Sequence, residues 1–382
     1  MSQYSKYKLY YKEEYDGEQW SPVIPYEYYG EMIEEYSTDC GWTDCSGDYL
    51  TLIARESGTF KFTSRSSTYN YRISYSTDSG STWSTPTTDN ITLNVNSGDI
   101  VKWKGTMRPA TSGTGVFSES TASFDVEGNA MSLIYNDIFV GRTDILGKAY
   151  AFTDLFKGTK VVNAEKLVLP ATTLEVRCYL GMFSGCTSLE APPIILPAKR
   201  LEASCYRNMF QGCTSLTKAP KIQAERVASQ CCLEMFEGCT SLTKAPELPA
   251  TDFTYNYPYD CYNSMFANCT SLVKAPSILP ATTLEGDCYC AMFSGCTSLT
   301  TSPELPATSL KGRCYQSMFE GCTNLNYIKA MFTTTPSNDF TLNWVNGVAG
   351  SGTFVKNNAA TWNPEDVRGV NGIPIGWTVQ DA

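Results

Sequence analysis

Cysteine is the residue whose spacing suggests chemistry in this chain. Six Met-Phe pairs each have one cysteine four residues before the methionine and another four residues after it. Regularly spaced cysteines can bind a metal as thiolates, pair as disulfides or pack as small apolar residues. The two cysteine columns are Cys178, Cys205, Cys231, Cys261, Cys288 and Cys314, and Cys186, Cys213, Cys239, Cys269, Cys296 and Cys322.

The Met-Phe pairs return at steps of 27, 26, 30, 27 and 26 residues, which indicates a stack of repeats. Neighbouring coils of such a stack bring the members of a cysteine column to roughly 5 Å, near the separation that a disulfide allows. A degenerate first repeat carries Ala151 and Thr159 at the two cysteine positions, so both positions accept other small residues. This pattern favours reduced packing thiols, with scattered disulfides and a metal site as the alternatives.

Each repeat is predicted to contain one short helix and one short strand. Thr172 and Glu175 have the form of a capping box, and Leu174, Cys178 and Met182 lie four apart, as on one face of a helix. The Leu-x-x-Ala-Pro segments of later repeats suit a short strand. After the predicted helix, each repeat has a glycine or an asparagine, the residue types that tolerate a left-handed backbone. Its members are Gly185, Gly212, Gly238, Asn268, Gly295 and Gly321.

A strand and a helix with a period of about 26 residues fall in the range of leucine-rich repeats. The stretch MFSGCTSL, together with LPAT and the Cys-Tyr pair that follows it, resembles the BspA-like leucine-rich-repeat proteins. These are surface proteins of gut and oral anaerobes, with relatives in bacteriophages that infect such bacteria. The resemblance covers about residues 149–330, and the flanking stretches YSTDSGSTW and TFVKNNAATWNPEDVRGVNGIPIGWTV are similar too. It implies adhesion or recognition rather than catalysis.

Composition argues against several classes of function. The net charge of −10 and the isoelectric point near 4.8 argue against a nucleic-acid partner. Histidine, the usual general base and metal ligand, is absent, and no catalytic constellation is visible. We therefore expect no enzymatic activity, no cofactor and no metal. No run of about 18 apolar residues occurs, so membrane insertion is not expected.

The first 49 residues differ in composition from the rest. They hold 11 acidic residues, 10 of the 24 tyrosines and a net charge of −8. Either a small β module with a solvated acidic face or a segment that docks to another subunit fits this composition, since aromatic residues are enriched at interfaces. Cys40 and Cys45 have no second pair nearby, so a loop disulfide or plain thiols are favoured over zinc, which needs four ligands.

Residues 50–131 alternate apolar and polar side chains in six segments separated by turn residues, which predicts an all-β sandwich. Between two segments, the stretch from Ser76 to Trp83 matches the Asp-box pattern S-x-D-x-G-x-T-W. It resembles the Asp-boxes of sialidases, where they hold turns away from the active site. We expect Asp78 to bond the amides of a turn that contains Gly80, with Trp83 packed beneath it.

The exposed positions of the repeats are the candidates for ligand contact. In a leucine-rich stack, the residues between the Leu and the Ala of each strand line the concave face, which is the usual binding surface. Three lysines would form a cationic row there, with a plain solvated surface as the alternative. The candidate residues of this face are Thr217, Lys218, Thr243, Lys244, Lys274 and Tyr327.

One linker between repeats is longer than the others by three residues and is rich in tyrosine. It contains Tyr255, Tyr257 and Tyr259. We expect it to bulge from the stack and to make a specific contact, because exposed aromatic side chains often act as anchors at interfaces.

Together these patterns predict an α+β chain in four parts. They are a Tyr-rich acidic docking or β module (1–49), a β-sandwich (50–131), a leucine-rich-repeat solenoid of one degenerate and six full repeats (132–330), and a small C-terminal cap (331–382).

The expected function is non-enzymatic adhesion or recognition. A bacteriophage virion protein of head- or tail-fibre type would bind a glycan or protein of the host surface and contact other virion subunits through residues 1–49. A bacterial cell-surface adhesin is the alternative, and the Met1 start without an apolar leader favours the virion. Assembly into a homo-oligomer is compatible with either.

Gly212→Val should lower the free energy of unfolding by more than about 1 kcal/mol, because a β-branched residue resists the left-handed backbone. Gly212→Asn should leave the melting temperature nearly unchanged, because asparagine tolerates that conformation. Thermal unfolding of both variants beside the wild type measures the difference. Equal melting temperatures for the two variants would contradict the backbone predicted for this column.

Overall fold

The computed structural model describes residues 47–64, 72–87, 90–107, 115–251, 253 and 259–382, together with the backbone of two short strands near the N-terminus. The predictions made for Cys40, Cys45, Tyr255 and Tyr257 lie outside these residues, as does most of segment 1–49. The strands are β1 (Glu13–Tyr15), β2 (Trp20–Pro22), β3 (Leu50–Ala54), β4 (Gly58–Ser64), β5 (Ile73–Ser76), β6 (Asn90–Val95), β7 (Ile100–Gly105), β8 (Gly115–Val116), β9 (Phe124–Asn129), β10 (Val161–Asn163), β11 (Leu167–Val168), β12 (Ile195–Leu196), β13 (Lys221–Ile222), β14 (Thr301–Leu305), β15 (Tyr327–Ala330), β16 (Thr353–Lys356) and β17 (Thr378–Asp381).

Most of the described chain is a β-solenoid of about seven turns with very little helix. The described helical segments are one α-helix, α1 (Ser132–Tyr135), and two 3-10 turns, Asn136–Ile138 and Pro364–Val367. All three lie outside the coils that carry the Cys and Met-Phe columns.

Two sheets precede the solenoid. The larger has the strand order β10-β9-β3-β7-β5, with β11 also paired to β9, and the smaller has the order β6-β4-β8. Their apolar faces meet: the rings of Phe60 and Phe124 lie 5.4 Å apart, and those of Phe62 and Trp103 lie 6.2 Å apart. Strands β10 and β11 of the first coil pair in parallel with β9. The predicted boundary at residue 131 therefore runs through a continuous sheet, and a separate β-sandwich stays a prediction.

The helix predicted in each repeat is wrong, because this segment is a run of tight turns. The amide of Cys178 donates to the carbonyl of Glu175 (3.3 Å), and the amide of Met182 donates to that of Tyr179 (3.2 Å). The alternate amides point out of the coil, and that of Tyr179 donates to the carbonyl of Cys205 in the next coil (3.0 Å). An α-helix would instead direct every amide to the carbonyl four residues back in the same segment.

The backbone of these turns explains the apolar spacing of four. Every fourth residue has a positive φ, as at Arg177 (58°), Gly181 (60°) and Gly185 (73°). A residue with a positive φ at the third position of a four-residue turn closes that turn. The two residues after it direct their side chains into the core, as Cys178 and Tyr179 do after Arg177. The left-handed backbone costs roughly 1–2 kcal/mol at a residue other than glycine, asparagine or aspartate. Hydrogen bonds to the next coil offset that cost at Arg177, whose amide donates to the carbonyl of Ala203 (3.0 Å).

The predicted capping box is also absent, for the same reason. The hydroxyl of Thr172 donates to the carbonyl of Thr143 (3.3 Å), and the carboxylate of Glu175 accepts from the amide of Gly147 (3.0 Å). Both side chains bond to the preceding coil rather than to each other. With no helix start in this segment, there are no orphan helix amides for them to cap.

The glycine column has the left-handed backbone that glycine and asparagine tolerate. Gly212 has a φ of 71°, and Asn268, the only non-glycine member, has a φ of 60°. A Cβ atom added at Gly212 would lie 3.9 Å from the Cα atom of Gly185, an ordinary contact. The backbone conformation, and not a lack of space, therefore decides which residue this position accepts.

Aromatic rings of successive coils stack through the core. One phenylalanine per coil lies 5.4–5.8 Å from the next, with the ring planes within 19° of parallel. This stack contains Phe156, Phe183, Phe210, Phe236, Phe266, Phe293 and Phe319. The tyrosine column beside it is fully buried. Its members are Tyr179, Tyr206, Tyr262, Tyr289 and Tyr315.

The fourteen cysteines that the structure describes are free thiols, and thirteen of them are buried. In the second column, each thiol donates to the carbonyl of the stacked phenylalanine one coil earlier, at 2.9–3.1 Å. Thr159 of the first coil donates to the carbonyl of Phe156 instead (2.8 Å). This position therefore needs a small side chain that is also a hydrogen-bond donor, which cysteine and threonine both supply.

The strand column does not end at residue 330. Strands β14, β15, β16 and β17 pair in parallel and in sequence order. The ring of Trp344 continues the stack 6.1 Å from Phe319, and the amide of Phe319 donates to the Trp344 carbonyl (2.8 Å). Trp362 and Trp377 are buried at this end. Residues 331–382 thus extend the coil geometry rather than forming a separate layer across it.

In the native protein, the buried thiols should react slowly with a thiol reagent at pH 8. Burial raises the pKa of Cys186 from 9.0 to about 11 and that of Cys322 to about 12, so the reactive thiolate is scarce. Denatured but unreduced protein should react with most of 16 equivalents. Stopped-flow thiol titration with and without denaturant measures both, and fewer than about four reactive thiols after denaturation would indicate disulfides.

Candidate functional site

Apolar side chains and buried thiols fill the interior of the described coils. In the described part of the chain, no group of three or more Cys, Asp or Glu side chains is placed to hold a metal ion. The buried thiols are engaged in packing, and burial keeps their pKa values high, as at Cys269 (about 12). None of the helices among the described residues is long and apolar enough to cross a membrane. The candidate sites are therefore on the surface.

The candidate residues of the strands do lie side by side on one surface, which we call the strand column. Lys244 and Lys274 form a parallel β-bridge between neighbouring coils. Lys244 is also aligned with Lys218, because the hydroxyl of Thr240 donates to the carbonyl of Thr214 (3.4 Å), and each of these threonines precedes its lysine by four residues. Lys218, Lys244 and Lys274, the lysine row, are thus in register on three successive coils and are exposed. Further along the column, Thr301, Tyr327, Thr353 and Thr378 are in register.

Charge pairing differs along the strand column. Lys329 pairs with Glu304 at 2.9 Å, and Lys356 pairs with Asp381 at 2.5 Å. Among the described residues, Lys218 and Lys274 have no carboxylate within ion-pair distance. At Lys218 and Lys274 the lysine row therefore presents positive charge without a nearby carboxylate among the described residues, whereas Lys329 and Lys356 at the C-terminal end of the column are paired.

The threonines beside the lysine row have structural contacts. The hydroxyl of Thr217 donates to the carbonyl of Glu190 (3.3 Å), and the carbonyl of Thr243 accepts from the amides of Val273 and Lys274. Val273 occupies the equivalent position of the next coil, and its side chain is 57% exposed. The surface beside the lysines is therefore a rigid strip that contains an exposed apolar side chain.

Tyr259, at the end of the longer linker, is exposed but firmly held. Its carbonyl accepts from the amide of Gln230 (2.9 Å) and from the hydroxyl of Ser229 (3.3 Å). Its ring is 51% exposed and lies against Gly286 of the next coil. Phe253, at the start of the linker, is fully buried and packs on Tyr262 and Tyr289. Tyr259 lies on a surface of the coils distinct from the strand column.

The Asp-box is a closed hydrogen-bonded turn. The Asp78 carboxylate accepts from the Ser76 hydroxyl (2.6 Å), the Thr82 hydroxyl (2.6 Å) and the Thr82 amide (2.9 Å), while the Gly80 amide donates to the Ser76 hydroxyl (2.8 Å). The bonds from Ser76 and Thr82 lower the pKa of Asp78 from 3.8 to about 2. With its carboxylate saturated by the turn, Asp78 serves the turn itself.

A cation–aromatic cluster next to this turn has no signal in the local sequence. The ammonium of Lys104 lies 4.2 Å from the centre of the Trp83 ring and 5.5 Å from that of Tyr49. Asp137 accepts from Lys104 (2.7 Å) and from the Tyr49 hydroxyl (2.7 Å). The four residues come from distant parts of the chain and hold the turn against the larger sheet. Their separation in sequence, up to 88 residues, explains why no motif revealed them.

Asp78→Asn should remove a contribution to stability that depends on pH. Because the folded pKa is depressed, the carboxylate stabilises the turn above about pH 4, and this contribution is lost as the pH falls from 3.8 towards 2. The difference in melting temperature between wild type and variant should be largest at neutral pH and small at pH 2. Circular dichroism melts across this range measure it, and a difference that stays constant would contradict the assignment.

No family model matches the chain, and no curated protein matches it. A leucine-rich repeat protein from Bacteroides ovatus, known from a crystal structure, is similar at 18% identity over 59% of this chain, with a TM-score of 0.33. The match covers 54% of that protein, so this chain spans about half of its length. At this similarity the surfaces have to be interpreted from their own geometry.

Proposed function

We propose that the chain is a non-enzymatic recognition protein whose solenoid presents the lysine row to an anionic partner. The observation that carries the proposal is the in-register exposure of Lys218, Lys244 and Lys274 on three successive coils, two of them without a carboxylate partner in the described structure. Adjacent strands of a sheet lie about 4.8 Å apart, so the backbones of the three lysines follow one line about 10 Å long. A linear polyanion, such as an acidic glycan, has charges along a line in the same way.

The charge distribution permits an anionic partner despite the acidic composition. The whole chain carries −10, of which residues 1–49 carry −8, which leaves −2 for residues 50–382. Exposed charges more than about 8 Å apart are largely screened at physiological ionic strength. A partner at the lysine row therefore responds chiefly to the charges within about that distance of the row.

The backbone under the lysine row is already ordered before binding. The amide of Thr217 donates to the carbonyl of Glu190 (3.3 Å), and the amide of Lys274 donates to that of Thr243 (3.2 Å). A preformed surface loses little conformational entropy on binding, so weak contacts can add up to a useful affinity. Val273, beside Lys274, adds exposed apolar area to the same strip.

In its finer form, the proposal places this module in a bacteriophage virion, attached through residues 1–49 and displayed towards a glycan or protein of the host surface. The support is the acidic, Tyr-rich composition of that segment and the resemblance of the repeats and flanks to BspA-like proteins. A bacterial cell-surface adhesin fits the same observations. Mass spectrometry of purified particles beside purified host envelopes separates the two locations, since the chain should be enriched in one of them.

Replacing all three lysines of the row with glutamine should weaken binding to polygalacturonate, a linear polyanion, by about tenfold. Exposed ion pairs contribute roughly 0.5 kcal/mol each, and three of them together correspond to about one order of magnitude in Kd. The dependence of affinity on salt should also become shallower, because fewer charges are paired. Biolayer interferometry at several salt concentrations measures both effects.

A matched control keeps the same change in net charge but leaves the row intact. Lys157, Lys160 and Lys199 are exposed lysines outside the row, and each has a carboxylate partner. Their replacement with glutamine should change the affinity far less than replacement of the row. Equal loss of binding in the two triple variants would show that overall charge, and not the row, determines binding, and would overturn the proposal.

A further inference from the structure

The tyrosine column of the core carries hydroxyl groups that have no protein partner. Tyr179, Tyr206 and Tyr262 are each 1% exposed, and none of their hydroxyl oxygens has a hydrogen-bond partner among the described residues. Burial raises the pKa of each phenol well above its usual value, so each keeps its proton and needs an acceptor. We propose that these hydroxyls bind a file of buried water molecules along the tyrosine column. This site lies inside the stack and does not depend on the lysine row.

The column itself shows that packing does not require a hydroxyl at this position. Phe152 occupies the same position in the first coil, and its ring stacks on that of Tyr179 at 5.4 Å. Phenylalanine therefore fits the column, whereas a buried hydroxyl without a partner lowers stability. Unpaired hydroxyls in three coils of one column are explained better by a bound partner than by packing.

Buried thiols in the same coils differ in how well they are paired. In the second cysteine column each thiol has a carbonyl partner, as from Cys213 to Phe183 (3.1 Å). In the first column the contacts are longer, and the thiols of Cys231 and Cys261 lie 3.8 Å and 4.0 Å from their acceptor carbonyls. The first cysteine column is thus weakly bonded, like the tyrosine column that follows it in the sequence.

The thiols of the first column lie close to the unpaired hydroxyls. Besides burial, the neighbouring thiols of Cys178 and Cys205 raise the pKa of Tyr179, and those of Cys205 and Cys178 raise that of Tyr206. A buried water usually has two to four polar partners. Two tyrosine hydroxyls and the adjacent thiols, which are weak donors and acceptors, supply that number.

The spacing of the rings fits a bridging water. The ring centres of Tyr179 and Tyr206 are 5.8 Å apart, and those of Tyr262 and Tyr289 are 5.9 Å apart. Because these rings stack in register, their hydroxyl oxygens are separated by a similar distance, which is too long for a direct hydrogen bond. Two O–H···O bonds of up to about 3.0 Å each span it, so one water can join two neighbouring hydroxyls.

Cys232 interrupts the column of rings. It takes the ring position in the coil between Tyr206 and Tyr262, and a thiol fills only part of the volume of a phenol ring. Phe253, the buried aromatic side chain of the longer linker, packs on the rings of Tyr262 and Tyr289. The space beside Cys232 therefore adjoins a tyrosine with an unpaired hydroxyl in the coil on either side, and we place the widest part of the water file there.

Three single variants test the proposal through the sign of their effect on stability. Tyr179→Phe, Tyr206→Phe and Tyr262→Phe each remove one hydroxyl and keep the ring, and Phe152 shows that the column accepts phenylalanine. Each variant should raise the equilibrium constant for unfolding by about fivefold, the usual effect of one lost hydrogen bond. Tyr259→Phe, the same change on a ring of a residue that is 51% exposed, is the matched control and should stay within about twofold of wild type. Urea unfolding of the full chain measures all four.

A high-resolution crystal structure of the wild-type chain is the second measurement, and it depends on no variant. We expect an ordered water within about 3 Å of each of the three hydroxyl oxygens. Hydroxyls without a neighbouring solvent peak in that structure would overturn the proposal. So would variants that are as stable as wild type or more stable, because removal of an unpaired buried hydroxyl relieves a cost.

Discussion

The hydrogen bonds between coils are the interaction on which the rest of this structure depends. In each run of turns, every second amide donates within its own coil, and the amides between them donate to the next coil, as from Phe183 to Met209 (2.8 Å). A single coil would leave half of these amides without a partner, so a coil is stable only inside the stack. The same ladder holds each residue directly above its equivalent in the neighbouring coil, and this register produces the columns of the sequence.

The columns of the core follow from that register. A flat aromatic ring is accepted in each coil because the ring below it has the same orientation, as in the nearly parallel pair Phe236 and Phe266. The second cysteine column is accepted because a thiol is small and still donates to a phenylalanine carbonyl, as from Cys213 to Phe183 (3.1 Å). The interior is thus used entirely for packing and hydrogen bonding. The exposed positions around each coil are the ones that can vary and can recognise a partner.

Two of those positions carry different chemistry. The lysine row on the strand column presents positive charge on three successive coils, whereas Tyr259 presents an exposed aromatic side chain on another surface of the coils. Tyr259 follows the longer linker and occupies a position that carries Val176, Ala203 and Ser229 in the coils before it. A regular stack can therefore change the side chain at one exposed position while the register of the other columns is kept.

The sequence by itself determined the repeat, its period, the inward residues and the column with a left-handed backbone, because each of these is a local pattern repeated in the chain. It could not decide between a helix and a run of turns. Apolar residues four apart fit both, and the choice depends on whether alternate amides find partners in the next coil, which is a tertiary contact. The chain beyond residue 330 has no cysteine, and its Met331-Phe332 pair lacks the flanking cysteines of the repeats, so only the pairing of β15, β16 and β17 revealed the further coils. The continuity of β9 with β10 likewise depended on stacking that no single segment specifies.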